Sequence, residues 1–116
     1  LIAILASLAL PGFTKSKESA LDKEANANLK LIQAAQKIYR MEFYSSYYPA
    51  SGNVSNITSI NDNLKVYLPT PTTPNWNYTV WNTGYSRAVR NGGDNRNWYL
   101  TINDTDGEPN NGTGCP

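Results

Sequence analysis

The side chains best able to do chemistry in this sequence crowd into one stretch, Asn103-Asp104-Thr105-Asp106-Gly107-Glu108-Pro109-Asn110-Asn111. Oxygen ligands alternate there around a turn glycine, and calcium takes about six to eight oxygens from a flexible loop of this kind. Asp104, Asp106 and Glu108 are the candidate metal ligands. The spacing is not that of a complete EF-hand loop, because a third acid pair and the late glutamate are absent. An ordinary Asp-Gly turn is the other reading, and both stay open. Asp104 and Asp106 could also be cast as the two carboxylates of a glycosidase, but two acids on one turn make a poor case for it.

Composition removes most other chemistry. The 116 residues hold no histidine and one cysteine, Cys115. The commonest catalytic base, the thiol nucleophile with its partner, and cysteine or histidine metal sites are therefore missing. The expectation is no catalytic residue and no enzyme. Net charge is +1, which gives no footprint for nucleic acid or for a polybasic membrane patch. Charged residues make up 16% of the chain, with Asn, Thr, Ser and Tyr abundant after Tyr44, a mixture suited to an extracytoplasmic surface. A lone cysteine allows no internal disulfide. Cys115 is a free thiol or pairs between copies.

The element that must position all this is the first stretch of the chain, Leu1 to about Tyr44. Leu1–Leu10 contains only Leu, Ile, Ala and one Ser. Ten helical residues rise about 15 Å, half of a hydrocarbon core of about 30 Å. As it stands the run is too short to span a bilayer, and no basic segment precedes it as in a signal peptide. Either more of the helix lies upstream, or this end is buried in other protein. Pro11 and Gly12 punctuate the run. Proline removes a backbone donor and clashes one turn back, so a break or kink near Pro11 is expected. The alternative is a plain boundary, with the helix starting near Thr14.

Beyond Gly12 the apolar positions Leu21, Ala25, Leu29, Ile32, Ala35, Tyr39 and Phe43 recur every three or four residues, tracing one helical face. Charges of both signs, Lys15 to Glu42, lie mostly off it. They either solvate the helix or pair with neighbouring copies. Tyr47, Tyr48 and Pro49 end the helix, since the residue before proline is pushed out of helical geometry. Such a helix reaches about 60 Å. The rest of the chain is too small a cap to cover it, so the uncovered part must be buried by a membrane, by other subunits, or by each in turn.

These residues resemble a known family. AILASLALPGFTKSKESALDKEANANLKLIQAAQKIY is similar to the N-terminal helix of type IV pilins and of the pseudopilins of type II secretion. The matching pieces are the ILASLALP run, the proline followed by Gly12 and Phe13, a Lys/Glu/Ala segment, and the A-N-L-K-x-I-x-x-A-Q-K-x-Y pattern from Ala27 to Tyr39. Tyr48-Pro49 stands where such proteins often carry a YP pair. The likeness covers about the first fifty residues. The family's start, a basic leader, a cleavage glycine, a methylated phenylalanine and a nearby glutamate, is not in this sequence. The likeness implies about ten further residues of apolar helix ahead of Leu1, enough to complete a span. Ala3 stands where many relatives have a helix-loosening glycine.

The resemblance implies a subunit held in the bacterial inner membrane, then extracted by pilus or secretion machinery and stacked into a homopolymeric filament. Its core would be Leu1, Ile2, Ile4, Leu5, Leu8, Leu10, Pro11 and Phe13. A segment with no polar face is satisfied equally by lipid or by like neighbours. The product is an extracellular fimbrium on the cell surface, or a short periplasmic pseudopilus. Major pseudopilins carry a calcium-binding loop near the C-terminus, which the acidic stretch resembles. Pilins often close a C-terminal loop with a disulfide, and here Cys115 lacks the partner.

The expected fold is α+β: a long helix, kinked near Pro11, packed on a small three- or four-stranded antiparallel sheet. The organisation is residues 1–13 as the hydrophobic segment, 14–48 as the amphipathic helix, and 49–116 as the cap. Within the cap a helical turn is expected at Ile57–Asn63 and a short strand at Lys65–Leu68. The Pro-rich Thr70–Pro74 run cannot lie inside a sheet. Strands follow at Trp76–Trp81, Ser86–Arg90 and Asn97–Asn103, with a turn at Asn91–Asp94. Trp76, Trp81 and Trp98 read as packing anchors, a sugar-stacking role for one of them being the alternative. Of five Asn-x-Ser/Thr sequons, at Asn53, Asn56, Asn77, Asn103 and Asn111, most are expected to be unused, and a glycan would sit rather on an exposed Ser or Thr. Three functions are thus in play: filament subunit, membrane-anchored calcium or glycan receptor, and small hydrolase. The helical pattern favours the first.

Overall fold

The computed structural model describes residues 2–42, 46–92, 96–102 and 108–111, with side chains from Lys17 to Asn110. One helix, α1 (Ile2–Glu42), leads a cap made of β1 (Asn53–Val54), α2 (Ile57–Leu64), β2 (Trp76–Trp81), β3 (Ser86–Arg90), β4 (Asn97–Leu100) and β5 (Asn110–Asn111). The molecule is 63 Å long, which is what 41 residues of helix demand at about 1.5 Å each. Pro11 and Gly12 lie inside α1 and the helix continues through them. The helix therefore begins ahead of Thr14, against the plain-boundary alternative.

The strands form a single sheet in chain order, β1-β2-β3-β4-β5, antiparallel throughout. The expected α+β arrangement stands, with β2, β3 and β4 as the body of the sheet and a two-residue strand on either edge. Register fixes two faces. Val80 pairs with Ser86 and Ser86 with Leu100, Tyr78 with Ala88 and Ala88 with Trp98. These columns point at α1, and Val80, Ala88 and Leu100 are fully buried. From α1 the expected face delivers Leu21, Ala25, Leu29, Ile32 and Ala35 to the core, with Tyr39 packed at its margin. Phe43 lies outside the described residues.

Lys65–Leu68 does not join the sheet. Its side chains alternate as a strand's would, Val66 and Leu68 in, Lys65 and Tyr67 out, which is why the sequence pattern suggests one. The ladder is replaced by a single side chain. The Asn61 amide donates to the Leu68 carbonyl at 3.0 Å, and its oxygen accepts from the Leu68 N–H at 2.9 Å. Lys65 caps α2 in the left-handed region, φ 58, so the chain turns away before any strand can pair. At the other end of α2, the Asn56 carboxamide oxygen accepts from Thr58 N–H at 2.9 Å and Ser59 N–H at 3.1 Å, an N-cap of the favoured kind. The peptide between Tyr48 and Pro49 is cis. In the β2–β3 turn Gly84 holds φ +86, and a Cβ there would stand 2.9 Å from Cβ of Ile102.

Candidate functional site

α1 carries two apolar faces. The inner one is clamped to the cap at both ends by polar side chains. At the upper end Arg96, only 4% exposed, donates through Nε to Asp22 Oδ1 at 2.7 Å and through Nη2 to Glu18 Oε2 at 3.3 Å. Its guanidinium also lies over the Trp76 ring, 5.3 Å from the centroid. Arg90 reaches the Glu18 carboxylate at 3.4 Å, and the Trp98 indole N–H donates to Asp22 Oδ1 at 3.2 Å. Burial pushes the Glu18 carboxyl up, but hydrogen bonds from Arg96 and Arg90, with their charges, outweigh it and hold the group below the usual glutamate value. At the lower end Gln36, fully buried, donates to the Tyr48 carbonyl at 2.6 Å and accepts from the Tyr48 N–H at 2.8 Å. Gln33 donates to the Thr101 carbonyl at 2.8 Å.

Between the clamps, the Tyr78 hydroxyl accepts from the Asn28 amide at 2.8 Å. Burial pushes the Tyr78 phenol up to about 12, against the relief given by that hydrogen bond, and the Glu24 charge adds to the rise. Sequence pattern alone finds the apolar members of this face and misses Gln33, Gln36 and Arg96. Gln36 carried a positional signal, since it falls between Leu29 and Ile32 on the helical face, with Gln33 at that face's edge.

The second apolar face lies on the opposite side of α1. Ala27, Leu31, Ala34, Ile38 and Met41 are all exposed, Leu31 at 45%, Ile38 at 56% and Met41 at 83%. Spaced four, three, four and three residues apart, they form a continuous row on a helix. Lys23, Lys30 and Lys37, seven residues apart, run along one flank of this row, and Glu24 and Glu42 lie on the other. Beside the acidic flank a groove of about 250 Å³ opens between α1 and the end of α2, lined by Leu31, Ala34, Ile38, Tyr39, Leu64 and Val66. The sequence pattern off the inner face is read through its charges, as solvating the helix or pairing with neighbouring copies. That reading overlooks this row because its apolar members alternate with lysines.

The candidate metal ligands divide. Asp104 and Asp106 lie outside the described residues, as does Cys115. Glu108 is described, and its carboxylate pairs with Lys30 of α1 at 2.8 Å on the surface. Among the described residues no group of three His, Cys, Asp or Glu gathers as a metal site would need. Of the filament-core candidates, Leu1 falls outside the described residues. Ile2, Ile4, Leu5, Leu8, Leu10, Pro11 and Phe13 all belong to α1. No helix among the described residues is long and apolar enough to cross a membrane.

The tryptophans behave mainly as anchors. Trp76 is 3% exposed in the core, and Trp98 packs against it. Trp81 is on the outward face of the sheet, held edge-on to Tyr85 at 4.7 Å and under the Arg87 guanidinium at 5.2 Å. Comparison with protein-family models, curated proteins and solved structures found no match.

Proposed function

We propose that this chain is a structural subunit of a type IV pilus-like helical filament, assembled by packing of N-terminal helices. The carrying observation is α1 itself, one helix from Ile2 to Glu42. Its first turns, Ile2–Leu10, contain only Leu, Ile, Ala and one Ser. A helix apolar all round is stable only inside lipid or among other helices. Lipid holds the subunit before assembly, and like helices hold it afterwards. The inner membrane, the assembly machinery and other copies are then its partners, and an extracellular filament is its place of work.

The major pseudopilin of a type II secretion system is the second reading, supported by the acidic run Asp104 to Glu108, with calcium stabilising the tail. A membrane-anchored binding module is the third. Electron microscopy and mass spectrometry of material sheared from cells expressing the native gene test the proposal. Long filaments made mainly of this chain support a pilus. Protein retained in the envelope with no surface filament sinks the pilus and leaves the other two. Ile4→Asp or Leu8→Asp should abolish filaments, because a charge would be buried among apolar helices.

A further inference from the structure

We infer that the outward face of the sheet binds an acidic sugar, Arg87 taking its carboxylate and the rings of Trp81, Tyr85 and Tyr99 supporting its pyranose. The site lies on the side of the sheet away from α1, so it does not depend on the filament reading. An anchored single copy would present it equally well. Register places its members. Val80, Ser86 and Leu100 are buried beneath the sheet, so their chain neighbours Trp81, Tyr85, Arg87, Tyr99 and Thr101 take the other side. Arg87 stands between Thr79 of β2 and Tyr99 of β4, with Trp81 on the diagonal. The three rings then pack in a row. Trp81 meets Tyr85 edge to face with centroids 4.7 Å apart, and Tyr85 stacks on Tyr99 at 5.7 Å with the planes 28° apart. A depression of about 500 Å³ opens beside them, edged by Trp81, Thr83, Tyr85, Thr101 and Ile102.

Arg87 is what makes this surface a receptor. Its guanidinium is fixed over the Trp81 ring, 5.2 Å from the centroid. Nε is buried and has no hydrogen-bond partner among the described residues, and no described acid pairs with the group. A buried donor left unpaired costs free energy and calls for an explanation. A carboxylate arriving here supplies both the counter-charge and the acceptor, and the planar guanidinium suits it. The neighbourhood narrows the class further. Arg90, the other charged residue of the three central strands, lies on the α1 side and is held by Glu18. Arg87 is therefore this face's one charge among the described residues. A nucleic-acid strand carries a charge on every phosphate and needs a row of cations. A uronic or sialic acid carries one carboxylate per ring. It also has a C–H face to rest on aromatic rings and hydroxyls to meet Thr83 and the tyrosines. Few polar groups set in an aromatic surface are the usual makings of such a site.

The test uses the full chain in detergent on an array of uronic- and sialic-acid oligosaccharides beside their methyl esters and neutral counterparts. Binding should be confined to the free acids. No acidic glycan bound, or esters bound equally well, would overturn the site, as would a preference for single-stranded DNA. The best-bound acid is then titrated by tryptophan fluorescence. Arg87→Gln should weaken it about tenfold or more, the worth of a hydrogen bond to a charged group. Arg87→Lys, which keeps the charge and loses the fork, should fall between. Both variants should unfold near the wild-type temperature, since Arg87 has no ion pair to lose among the described residues. Lys37→Gln, at an exposed residue of α1, should leave the affinity unchanged. An equal loss there would mean attraction by net charge alone and would overturn the assignment, as would undiminished binding by Arg87→Gln.

Discussion

Replacing Arg96 with methionine keeps the bulk of the side chain and removes its charge, and the consequences can be worked through contact by contact. Wild-type Arg96 holds Asp22 at 2.7 Å and Glu18 at 3.3 Å while 4% exposed. Taking away one partner of a buried ion pair costs about 3–5 kcal/mol, because the remaining charge stays buried without its counter-ion. The two acids are not equally stranded. Glu18 is 35% exposed and keeps Arg90, so water and a second cation absorb its share. Asp22, 15% exposed, keeps the Trp98 indole N–H. The low end, about 3 kcal/mol, is therefore expected. For a chain of this size that lowers Tm by roughly 12 °C.

The assay is urea and thermal unfolding of the full chain in detergent, followed by tryptophan fluorescence. Adding Asp22→Leu to Arg96→Met should recover at least half of the loss, since it removes the stranded charge. Acid provides an independent reading. The depressed Glu18 value contributes stability that is present above the unfolded value of 4.5 and is lost as pH falls through the folded one. Arg96→Met should flatten that acid limb. A loss below about 1 kcal/mol, within the range of exposed pairs, would refute the view that the clamp is a buried one.

Three other outcomes follow from the same contacts. Gln36→Leu leaves both the N–H and the carbonyl of Tyr48 without their partner, so unfolding in urea should show a loss of about 2–4 kcal/mol; a loss under about 1 kcal/mol would mean water replaces the amide. Raising pH from the ordinary tyrosine value towards about 12 should erode stability by about 2 kcal/mol, because the unfolded chain ionises Tyr78 first and the folded one resists. Tyr78→Phe should shrink that alkaline loss in a pH series of melts, leaving the share of Tyr48 and Tyr85, whose phenols burial also pushes up. If Asp104, Asp106 and Glu108 hold calcium, chelation should lower Tm and Asp106→Ala should remove the response; a wild type indifferent to chelator and to added calcium disposes of the metal.

Where side chains repeat with a period, the sequence was readable. Leu21, Ala25, Leu29, Ile32 and Ala35 sit at helical spacing, and all became core. Trp76–Trp81 had enough aromatic and β-branched character to define β2 residue for residue, and the expected bounds Ser86–Arg90 are those of β3, although Val89 is its one β-branched residue. The third strand stops at Leu100 rather than Asn103, since Gln33 takes the Thr101 carbonyl that a longer ladder would use. What stayed hidden depended on partners far along the chain. Arg96 looks like a surface charge in a turn, and only the fold brings it to Asp22 and Glu18. Lys65–Leu68 has a strand's alternation, but Asn61 takes the backbone groups that would have shown it to be one. The outer row on α1 was hidden differently. Its period was visible, yet a search for one core face has no use for a second.

A sheet whose spatial order follows chain order also has a kinetic side. Each strand pairs with the one made just before it, so successive loop closures are short and their entropy cost is small. Docking α1 on β3 and β4 joins distant parts of the sequence. Because α1 precedes every strand, its inner face is complete before the first of them appears, at synthesis rates of about 5–20 residues per second. The strands therefore emerge one at a time onto a helix already in place, and the cap has no interval in which a finished sheet must wait for its second layer.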